Sequence, residues 1–240
     1  MNNDKNMAAP ETGSFESMNG FVNKAKAITP EYYQEVNIII DRHLNDFVEK
    51  SGRKPNLADI GGAGVLPFDI TIPNKICIMD IFPKPDHLIL PDNVKWITQN
   101  ILSENMPNKE KYDIVILSGV LHHLADKNNN IRQNLPICLK NIKKFLAPGG
   151  CCLIFESICP PYFDKIQDLL YPIYSRILTK ALKFPYARLL SLKEITEALK
   201  AMNFQYRMLD FKQLKQHYFA GYKVSSKIYP ISYICVELRA

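Results

Sequence analysis

Residues 56–65, with the sequence NLADIGGAGV, constrain the fold of this chain more than any other segment. An apolar run over residues 57–60 leads directly into a glycine-rich stretch over residues 61–64. Glycine lacks a Cβ and adopts positive φ readily, so the backbone there can turn sharply and approach a ligand closely. The pattern predicts a short buried strand that ends in a tight turn. Taken alone, it fits a turn without a ligand equally well.

The residues after the glycine turn affect how a ligand would be held. A helix after the turn would direct its free N–H groups toward that ligand. Pro67 comes only three residues after Gly64. Because proline disrupts a helix interior, we expect at most a short or irregular helix before the next strand.

The size and composition indicate a globular protein. The chain has 240 residues, of which 47% are hydrophobic and 22% are charged, which suits one large α/β domain or two small ones. No run approaches the roughly 18 apolar residues of a membrane-spanning helix. Residues 1–14 are polar and lack the apolar core of a signal peptide. We therefore expect a cytoplasmic protein without stable membrane insertion, as a monomer or homodimer.

The cysteines and the charges exclude several kinds of site. The chain has six cysteines but no CxxC pair, which argues against zinc and against a redox dithiol. We expect free thiols and no metal. The net charge is +6, and the lysines are scattered. This pattern indicates a solvated, mildly basic surface, and no concentrated patch points to nucleic acid.

Strands and helices alternate along the chain. We predict a mobile segment over residues 1–16 and helical periodicity from Ser17. Further helices are predicted over residues 31–50, 131–146 and 192–202, and strands over residues 57–60, 75–80, 94–100, 112–118, 151–156, 204–211 and 233–238. The first strands are continuously apolar, which indicates burial on both faces. The expected fold class is α/β, with a mostly parallel sheet between two layers of helices.

Capping residues define two of these helices. Thr29 is a candidate N-cap and Pro30 fits the first helical position. Ser191 and Glu194 form a capping box, in which each side chain accepts a hydrogen bond from the other residue's backbone N–H.

An acid follows the second predicted strand at the spacing that ribose recognition requires. Asp80 lies 21 residues after Asp59 and ends that strand. In parallel sheets ligands bind at the carboxyl ends of the strands, where an acid can accept both ribose hydroxyls. The glycine turn and this acid fit either a nicotinamide dinucleotide or S-adenosylmethionine. The dinucleotide fingerprint G-x-G-x-x-G fails here, because Val65, Leu66 and Pro67 follow Gly64.

The order of the remaining motifs resembles the class I S-adenosylmethionine-dependent methyltransferases, in the small-molecule branch. The matching segments are YDIVILSGVLHHL, LKNIKKFLAPGGCCLIFES and SLKEITEALKAMNF, at residues 112–124, 139–157 and 191–204. The resemblance covers residues 57–156 well. It implies a three-layer sandwich around a seven-stranded, Rossmann-like sheet with a helical lid, and S-adenosylmethionine as cofactor.

The resemblance also implies a division of the chain. A flexible N-terminus would occupy residues 1–16 and helices covering the site residues 17–52. The cofactor-binding core would span residues 53–156, the helical substrate lid 157–190, and the completion of the sheet 191–240.

The same resemblance assigns cofactor-binding roles by position. The methionine end would be held by Asp59, Gly61, Gly62 and Gly64. The ribose would be bound by Asp80, and the adenine would be covered by Ile81 or Phe82 and bordered by Asn100 and Ile101. The floor near the sulfonium would be formed by Ser118 and Gly119. The chain departs from the family pattern at Ala63, Val65, Pro67 and Asn100.

Two adjacent histidines follow the fourth predicted strand. A hydroxyl acceptor must lose a proton, and histidine is a suitable base because its pKa lies near neutrality. His122 and His123 are therefore candidate catalytic residues, with His122 preferred. The alternative is that LHHL is a packing feature, with one ring buried and one exposed. A carboxylate acceptor would need no base.

Residues 157–190 break the alternation and are predicted to form the lid. Its aromatic residues suggest an apolar or planar substrate, and its basic residues could receive an anionic group. The candidate substrate-binding residues are Tyr32, Tyr33, Tyr162, Tyr171, Tyr174, Arg176 and Tyr186. The other aromatic and basic residues of the lid are Phe163, Lys165, Lys180, Lys183, Phe184 and Arg188.

The lid also has other interpretations. Its aromatic residues could be the core of a small helical subdomain. Residues 166–184 could touch a membrane, although Pro172 and Pro185 argue against one long helix. The segment PPYF at residues 160–163 resembles the loop of methyltransferases that act on amino groups of bases in nucleic acid. It follows the fifth strand rather than the fourth, so we interpret it as a turn into the lid.

The leading hypothesis is a small-molecule methyltransferase that acts on an oxygen nucleophile. The alternatives are an RNA or protein methyltransferase, a catalytically silent binding subunit with this fold, and a dehydrogenase. A contiguous basic face, cofactor binding without turnover, and NAD binding would favour these three in turn.

Overall fold

The computed structural model describes residues 29–239 apart from 105, 107, 108, 182–184, 220, 221, 226, 228 and 229. The predicted mobile segment over residues 1–16, the helix from Ser17, and the lid residues Lys183 and Phe184 lie outside this part. The helices are α1 (Pro30–Ser51), α2 (Ile131–Phe145), α3 (Pro161–Arg176) and α4 (Leu192–Ala201). The strands are β1 (Asn56–Ile60), β2 (Lys75–Asp80), β3 (Val94–Thr98), β4 (Tyr112–Ser118), β5 (Leu146–Cys159), β6 (Leu190–Ser191), β7 (Gln205–Leu209), β8 (Gln216–Phe219), β9 (Tyr222–Ser225) and β10 (Ser232–Arg239).

The central sheet confirms the predicted α/β class. Its strand order is β3-β2-β1-β4-β5-β10-β7, and the two-residue β6 pairs with β5. The strands β3, β2, β1, β4 and β5 are parallel to one another. The strand β10 runs antiparallel to both β5 and β7. A mostly parallel sheet of seven strands is therefore observed, with β6 as a short addition.

Two hydrophobic cores, one on each face of the sheet, explain why the strands are continuously apolar. Along β4, Ile114 and Ile116 contribute to one core, whereas Val115 and Leu117 contribute to the other. This alternation follows from the period of two in a β-strand. Helix α1 packs on the first core, and helices α2 and α4 pack on the second.

Helix α1 confirms the predicted N-terminal boundary. Thr29 lies at the N-cap position and Pro30 is the first helical residue. Gly52 ends the helix with φ 69° and donates its N–H to the carbonyl of Val48. The left-handed conformation at this position is one that glycine adopts without strain.

Strand β5 is longer than the predicted 151–156. It begins at Leu146, so the segment APGG lies inside the strand rather than before it. The β4–β5 register shifts between Tyr112 and Ile114. A Cβ at Gly150 would lie 2.9 Å from the carbonyl of Asp113. The glycine thus allows the two backbones to meet at an irregularity that a pattern of alternating residues does not reveal.

Helix α3 shows that Pro172, one of the two prolines that argued against one long helix, does not interrupt the helix. The helix continues through Pro172 to Arg176, and a π-helical turn extends it over Ile177–Ala181. Proline in a helix interior costs about 3 kcal/mol. Buried side chains on both sides of the proline, Tyr171 and Ser175, anchor the helix to the protein. Tertiary packing therefore outweighs the local preference.

The connections beyond β1 and β7 differ from a regular alternation. Residues 61–74 form turns and bends without a helix, so no helix follows the glycine turn directly. Loop side chains, including Leu66, Phe68 and Ile70, cover the sheet there instead. The hairpin of β8 and β9 was not anticipated from the sequence. The other strand boundaries agree with the predicted ones to within two residues, apart from the C-terminal end of β5.

Candidate functional site

The candidate site lies at the edge of the sheet where the parallel strands end. Asp59 is the penultimate residue of β1, and Asp80, Ser118 and Glu156 lie at or near the ends of β2, β4 and β5. Adjacent pairing of β2, β1, β4 and β5 brings these ends to one edge. This is the edge at which open parallel sheets bind ligands.

Asp59 is a buried carboxyl group with unused hydrogen-bonding capacity. Its residue is 1% exposed, and no donor among the described residues reaches its Oδ2. Burial and the neighbouring Asp80 raise the pKa of Asp59 to about 8. A Cβ at Gly62 would lie 1.9 Å from the same Oδ2. Only glycine can therefore occupy position 62 while this carboxyl group keeps its orientation.

Asp80 is buried but partly satisfied by the backbone. Its Oδ2 accepts a hydrogen bond from the N–H of Ala63 at 3.2 Å, and its Oδ1 accepts one from the N–H of Phe82 at 3.0 Å. Burial, as the largest cause, raises its pKa, whereas these backbone donors lower it. A carboxylate has about four acceptor positions. Both oxygens therefore keep capacity for a pair of hydroxyl groups.

The glycine turn has a conformation that other residues adopt with difficulty. Gly61, Ala63 and Gly64 have φ of 71°, 50° and 75°. A Cβ at Gly61 would lie 2.8 Å from the side chain of Val120, in the segment after β4. The turn thus brings the ends of β1 and β4 into contact. Ala63, an observed departure from glycine, adopts a left-handed conformation that is costly for a residue with a Cβ.

Trp96 holds the loop after β2 against the glycine turn, a role that the sequence did not reveal. Its Nε1 donates to the carbonyl of Phe82 at 3.1 Å. A Cβ at Gly64 would lie 3.2 Å from the Trp96 ring and 3.2 Å from Leu88. Phe82 and Ile81, the predicted adenine cover, are partly exposed beside it.

The segment after β3 places the predicted adenine border as follows. Asn100 uses its Oδ1 to accept the N–H of Leu102 at 2.9 Å, within its own turn. Ile101 is 7% exposed and belongs to the hydrophobic core. The adjacent Gln99 is buried, and its Oε1 has no donor among the described residues. Like Asp59, Gln99 therefore has a buried oxygen without a donor at this edge. The sequence analysis did not single it out.

Tyr32 connects helix α1 to the end of β4. Its hydroxyl group forms a hydrogen bond with Ser118, and burial, the largest cause, raises its pKa. The centroid of the Tyr32 ring lies 5.2 Å from that of Tyr33 and 4.9 Å from that of Tyr233. Phe211 completes this aromatic group at 5.5 Å from Tyr32. Two predicted substrate-binding residues, Tyr32 and Tyr33, are thus brought to the strand ends.

Glu156 and His122 form a pair that the sequence did not reveal. The Glu156 side chain is 0% exposed, and its Oε1 lies 2.7 Å from His122 Nδ1. The carboxyl group also accepts the N–H of Leu121 at 2.7 Å and that of Ser157 at 2.8 Å. With Nδ1 donating to Glu156, Nε2 is the basic atom of the imidazole. The available signal was an acid at the end of the fifth strand.

The two histidines occupy different environments. His122 lies next to Gly119, because a Cβ added at Gly119 would lie 3.6 Å from His122 Cε1. The His122 side chain is 18% exposed. His123 donates from Nδ1 to the carbonyl of Tyr186 at 3.1 Å. Burial, with the neighbouring His122, holds the pKa of His123 well below its usual range. Of the two, His122 is the better candidate for moving a proton.

The lid residues separate into surface and interior groups. Tyr162 is 63% exposed and Arg176 is also exposed, so the structure does not bring their side chains into the interior near the strand ends. Tyr171 is 2% exposed and donates its hydroxyl to the carbonyl of Asp126 at 2.7 Å. Tyr174 packs on Tyr171 at 5.1 Å. Tyr186, partly buried, reaches the site through the backbone contact with His123.

Arg188, which the sequence suggested as a receptor for an anionic group, is instead an internal ion-pair centre. Its side chain is 0% exposed and forms ion pairs with Asp164, Asp168 and Glu194. The partly exposed Arg132 binds the same three carboxylates. We call these five residues the Arg188 cluster. It joins α2, α3 and α4, and the N–H of Arg188 also donates to the carbonyl of His122 at 2.9 Å.

The described residues contain no group of three or more His, Cys, Asp or Glu arranged to hold a metal ion. Among the described helices, none has the length and apolar character needed to cross a bilayer. The six cysteines are free and buried.

Comparison with known proteins supports the fold. No protein-family model matches the chain, and no curated protein matches it significantly. The solved structure of YcgJ from Bacillus subtilis is 13% identical, with a TM-score of 0.51 over 82% of this chain and 97% of that one. The 1,6-didemethyltoxoflavin-N1-methyltransferase of Burkholderia thailandensis is 12% identical, with a TM-score of 0.50 over 95% of this chain and 90% of that one. At such identity the likeness shows the fold, which agrees with the predicted architecture.

Proposed function

We propose that the chain is an S-adenosylmethionine-dependent methyltransferase that acts on a small molecule. The observation that carries this proposal is the pair of buried carboxyl groups, Asp59 and Asp80, at the ends of adjacent strands. Each has unused acceptor capacity, and the glycine turn contacts both, with Gly62 against Asp59 and the N–H of Ala63 on Asp80. Motif order and fold support the same conclusion.

The residues at the strand ends match the chemistry of the cofactor. An ammonium group, as at the methionine end, would satisfy the Oδ2 of Asp59 that has no donor, and would favour its ionised form. The ribose hydroxyls would donate to Asp80. Gly61, Gly62 and Gly64 would leave space for the methionine tail. Ile81 and Phe82 would cover the adenine, with Gln99 beside Asn100 as an additional polar partner.

The cofactor supplies an activated methyl group, so the protein contributes mainly orientation, exclusion of water and removal of a proton. His122 would accept the acceptor's proton at Nε2. Glu156 would act as a positioning residue that fixes the orientation and the tautomer of the ring through Nδ1. Because a hydroxyl acceptor must lose a proton, this pair supports an oxygen nucleophile. The Burkholderia methyltransferase is named for an N1 acceptor, so the fold alone does not select the atom.

The aromatic residues at the strand ends support an apolar or aromatic acceptor. Tyr32 and Tyr33 of α1, with Phe211 and Tyr233, form a continuous ring-packed group next to Ser118. Tyr32 and Tyr233 are buried, whereas Tyr33 and Phe211 are half-buried, so the group would line one wall of the site and exclude water. Tyr171, Tyr174 and Tyr186 would support the lid from within.

The test is calorimetric titration of the purified protein with S-adenosylhomocysteine and, separately, with NAD. We expect binding of one S-adenosylhomocysteine per chain and none of NAD. A labelled-methyl assay over phenols, carboxylates, quinones and amines then identifies the acceptor. A folded protein that binds neither S-adenosylhomocysteine nor S-adenosylmethionine would refute the proposal. Binding without turnover on any acceptor would favour a silent binding subunit instead.

A further inference from the structure

The outer face of α3 and of the following π-helical turn carries an apolar stripe. Its members are between 44% and 79% exposed, although all are large hydrophobic residues. They are spaced by four, three, one, three and four residues, so they lie on one side of the helix. The stripe consists of Tyr162, Ile166, Leu169, Leu170, Ile173 and Ile177.

The charges on the same face have one sign. Lys165, Arg176 and Lys180 are exposed beside or within the stripe. The acids of this helix, Asp164 and Asp168, are turned toward Arg188 and Arg132. Among the exposed residues of the described segment 161–180, none is acidic. The Arg188 cluster therefore leaves the outer face both apolar and cationic.

This combination selects among the surfaces that could cover the stripe. Contiguous exposed apolar residues mark an interaction site in soluble proteins. In a symmetric pair of chains, the same patch meets itself. The three cations of one chain, Lys165, Arg176 and Lys180, would then lie against the same three cations of the other chain, which like-charge repulsion disfavours. An anionic lipid surface instead offers apolar depth to the stripe and phosphate charge to the three cations.

We propose that α3 and the π-helical turn bind the surface of an anionic bilayer. The helix lies parallel to the membrane plane, with the stripe at the boundary between headgroups and acyl chains. Its cations contact lipid phosphates. The attachment is interfacial, in agreement with the absence of a spanning helix among the described residues. This inference does not depend on the proposed function.

The experiment is flotation of the full-length protein with vesicles of phosphatidylcholine alone and of phosphatidylcholine with phosphatidylserine. We expect binding to the anionic vesicles that weakens with added salt, and little binding to the neutral ones. Ile173→Glu is expected to reduce the partition coefficient about tenfold or more. The matched control is Ile38→Glu on α1, which replaces an isoleucine that is 45% exposed outside the stripe and should leave partitioning unchanged.

A second pair of variants tests the charges. The triple variant K165E/R176E/K180E should lose at least roughly tenfold in anionic-vesicle partitioning, since each basic residue contributes independently. K140E/K200E/K212E makes the same change in net charge at exposed positions elsewhere and should lose much less. Circular dichroism checks that each variant is folded.

Three results would overturn the inference. The first is no binding to anionic vesicles by the folded wild type. The second is binding that Ile173→Glu and the stripe triple variant leave intact. The third is a dimer in sedimentation equilibrium that Ile173→Glu dissociates, without vesicle binding, which would assign the stripe to a second copy of the chain.

Discussion

His122 Nδ1 lies 2.7 Å from Oε1 of Glu156, whose side chain is completely buried. Two further N–H groups, from Leu121 and Ser157, hold the same carboxyl group within 2.8 Å. A side chain fixed in this way has little freedom to reorient. The imidazole is therefore oriented by the scaffold before any acceptor arrives.

Glu156→Gln should lower kcat about 100-fold or more for a hydroxyl acceptor, with a small change in KM, because an oriented base contributes mainly in the transition state. Nitrogen-detected NMR should show the His122 proton on Nδ1 in the wild type and a mixed tautomer in the variant. Glu110→Gln, which alters an exposed acid, serves as the control. If Glu156→Gln keeps the wild-type kcat for an acceptor that the wild type methylates rapidly, the proposed role of the pair is contradicted.

Asp80→Asn should weaken S-adenosylhomocysteine binding by about 1.5–3 kcal/mol, the usual contribution of hydrogen bonds to a charged group. Its two oxygens would otherwise accept the ribose hydroxyls while Ala63 and Phe82 hold the carboxyl in place. Calorimetry measures the loss. Asp86→Asn, an exposed acid on the loop after β2, should bind like the wild type. Equal affinity in Asp80→Asn and Asp86→Asn would remove Asp80 from the site.

Gly62→Ala should abolish cofactor binding more completely than Asp80→Asn, because its Cβ would overlap the Asp59 carboxyl at 1.9 Å. Gly149→Ala is the control for adding a methyl group to a glycine, since no atom lies within 4 Å of the new Cβ. Its positive φ of 75° gives that variant a conformational cost of about 1 kcal/mol. Thermal unfolding and calorimetry therefore separate a general loss of stability from loss of the site. Tight binding by Gly62→Ala would show that the carboxyl can move aside.

Asp59 should make the unliganded protein less stable as the pH rises. Its pKa is about 8 in the folded state, against roughly 3.9 in the unfolded chain. Between these values the folded state holds one more proton, so its stability falls with increasing pH across that window. Asp59→Asn lacks this penalty, and its advantage over the wild type should grow by more than about 1 kcal/mol between pH 5 and pH 8. Urea unfolding at several pH values measures it, and a constant difference would contradict the assignment.

The same carboxyl group should couple cofactor binding to proton release. At pH 7 Asp59 is largely protonated, and an ammonium group favours its ionised form. Calorimetric enthalpies in buffers of different ionisation enthalpy should therefore report release of up to one proton per S-adenosylhomocysteine, and release should disappear in Asp59→Asn. Buffer-independent enthalpies in the wild type would count against contact between this carboxyl and the cofactor.

Arg188→Met should destabilise the protein by about 3–5 kcal/mol, because it leaves three partly buried carboxylates without their central, fully buried partner. Arg132→Ala removes a partly exposed arginine from the same three acids and should cost less than about 1 kcal/mol. Chemical unfolding at neutral pH compares the two. Equal effects of the two substitutions would show that the Arg188 cluster is not organised around Arg188.

Much of the fold could be predicted because the parallel strands are apolar on both faces. Strand β4 was predicted with its observed boundaries, and Asp80 was correctly placed at the end of β2. Local rules failed where distant contacts decide the structure. Helix α3 passes through Pro172 because Tyr171 and Ser175 are anchored, and β5 begins at Leu146 because Gly150 fits against Asp113. Both partners, Asp126 for Tyr171 and Asp113 for Gly150, are distant in sequence.

The part of the candidate site that could be predicted is the part defined by local sequence, namely a strand end or a turn. The sequence pattern singled out Asp59, Gly62 and Asp80 before their burial and contacts were known. Glu156 was missed because its partner, His122, is 34 residues away and pairs with it only when β4 and β5 are adjacent. Arg188 was assigned a role that it does not have. Its positive charge suggested contact with an anionic group of the substrate, whereas its side chain is buried against three carboxylates.

The position of β10 in the sheet has a consequence for how the protein is made. This strand, Ser232–Arg239, comes after both β5 and β7 in the sequence, yet it lies between them in the sheet. During synthesis, β5 and β7 have no shared neighbour until residue 239 has left the ribosome. The sheet therefore cannot join β5 to β7, and the backbone edge of β5 stays unpaired, until this strand has been synthesised.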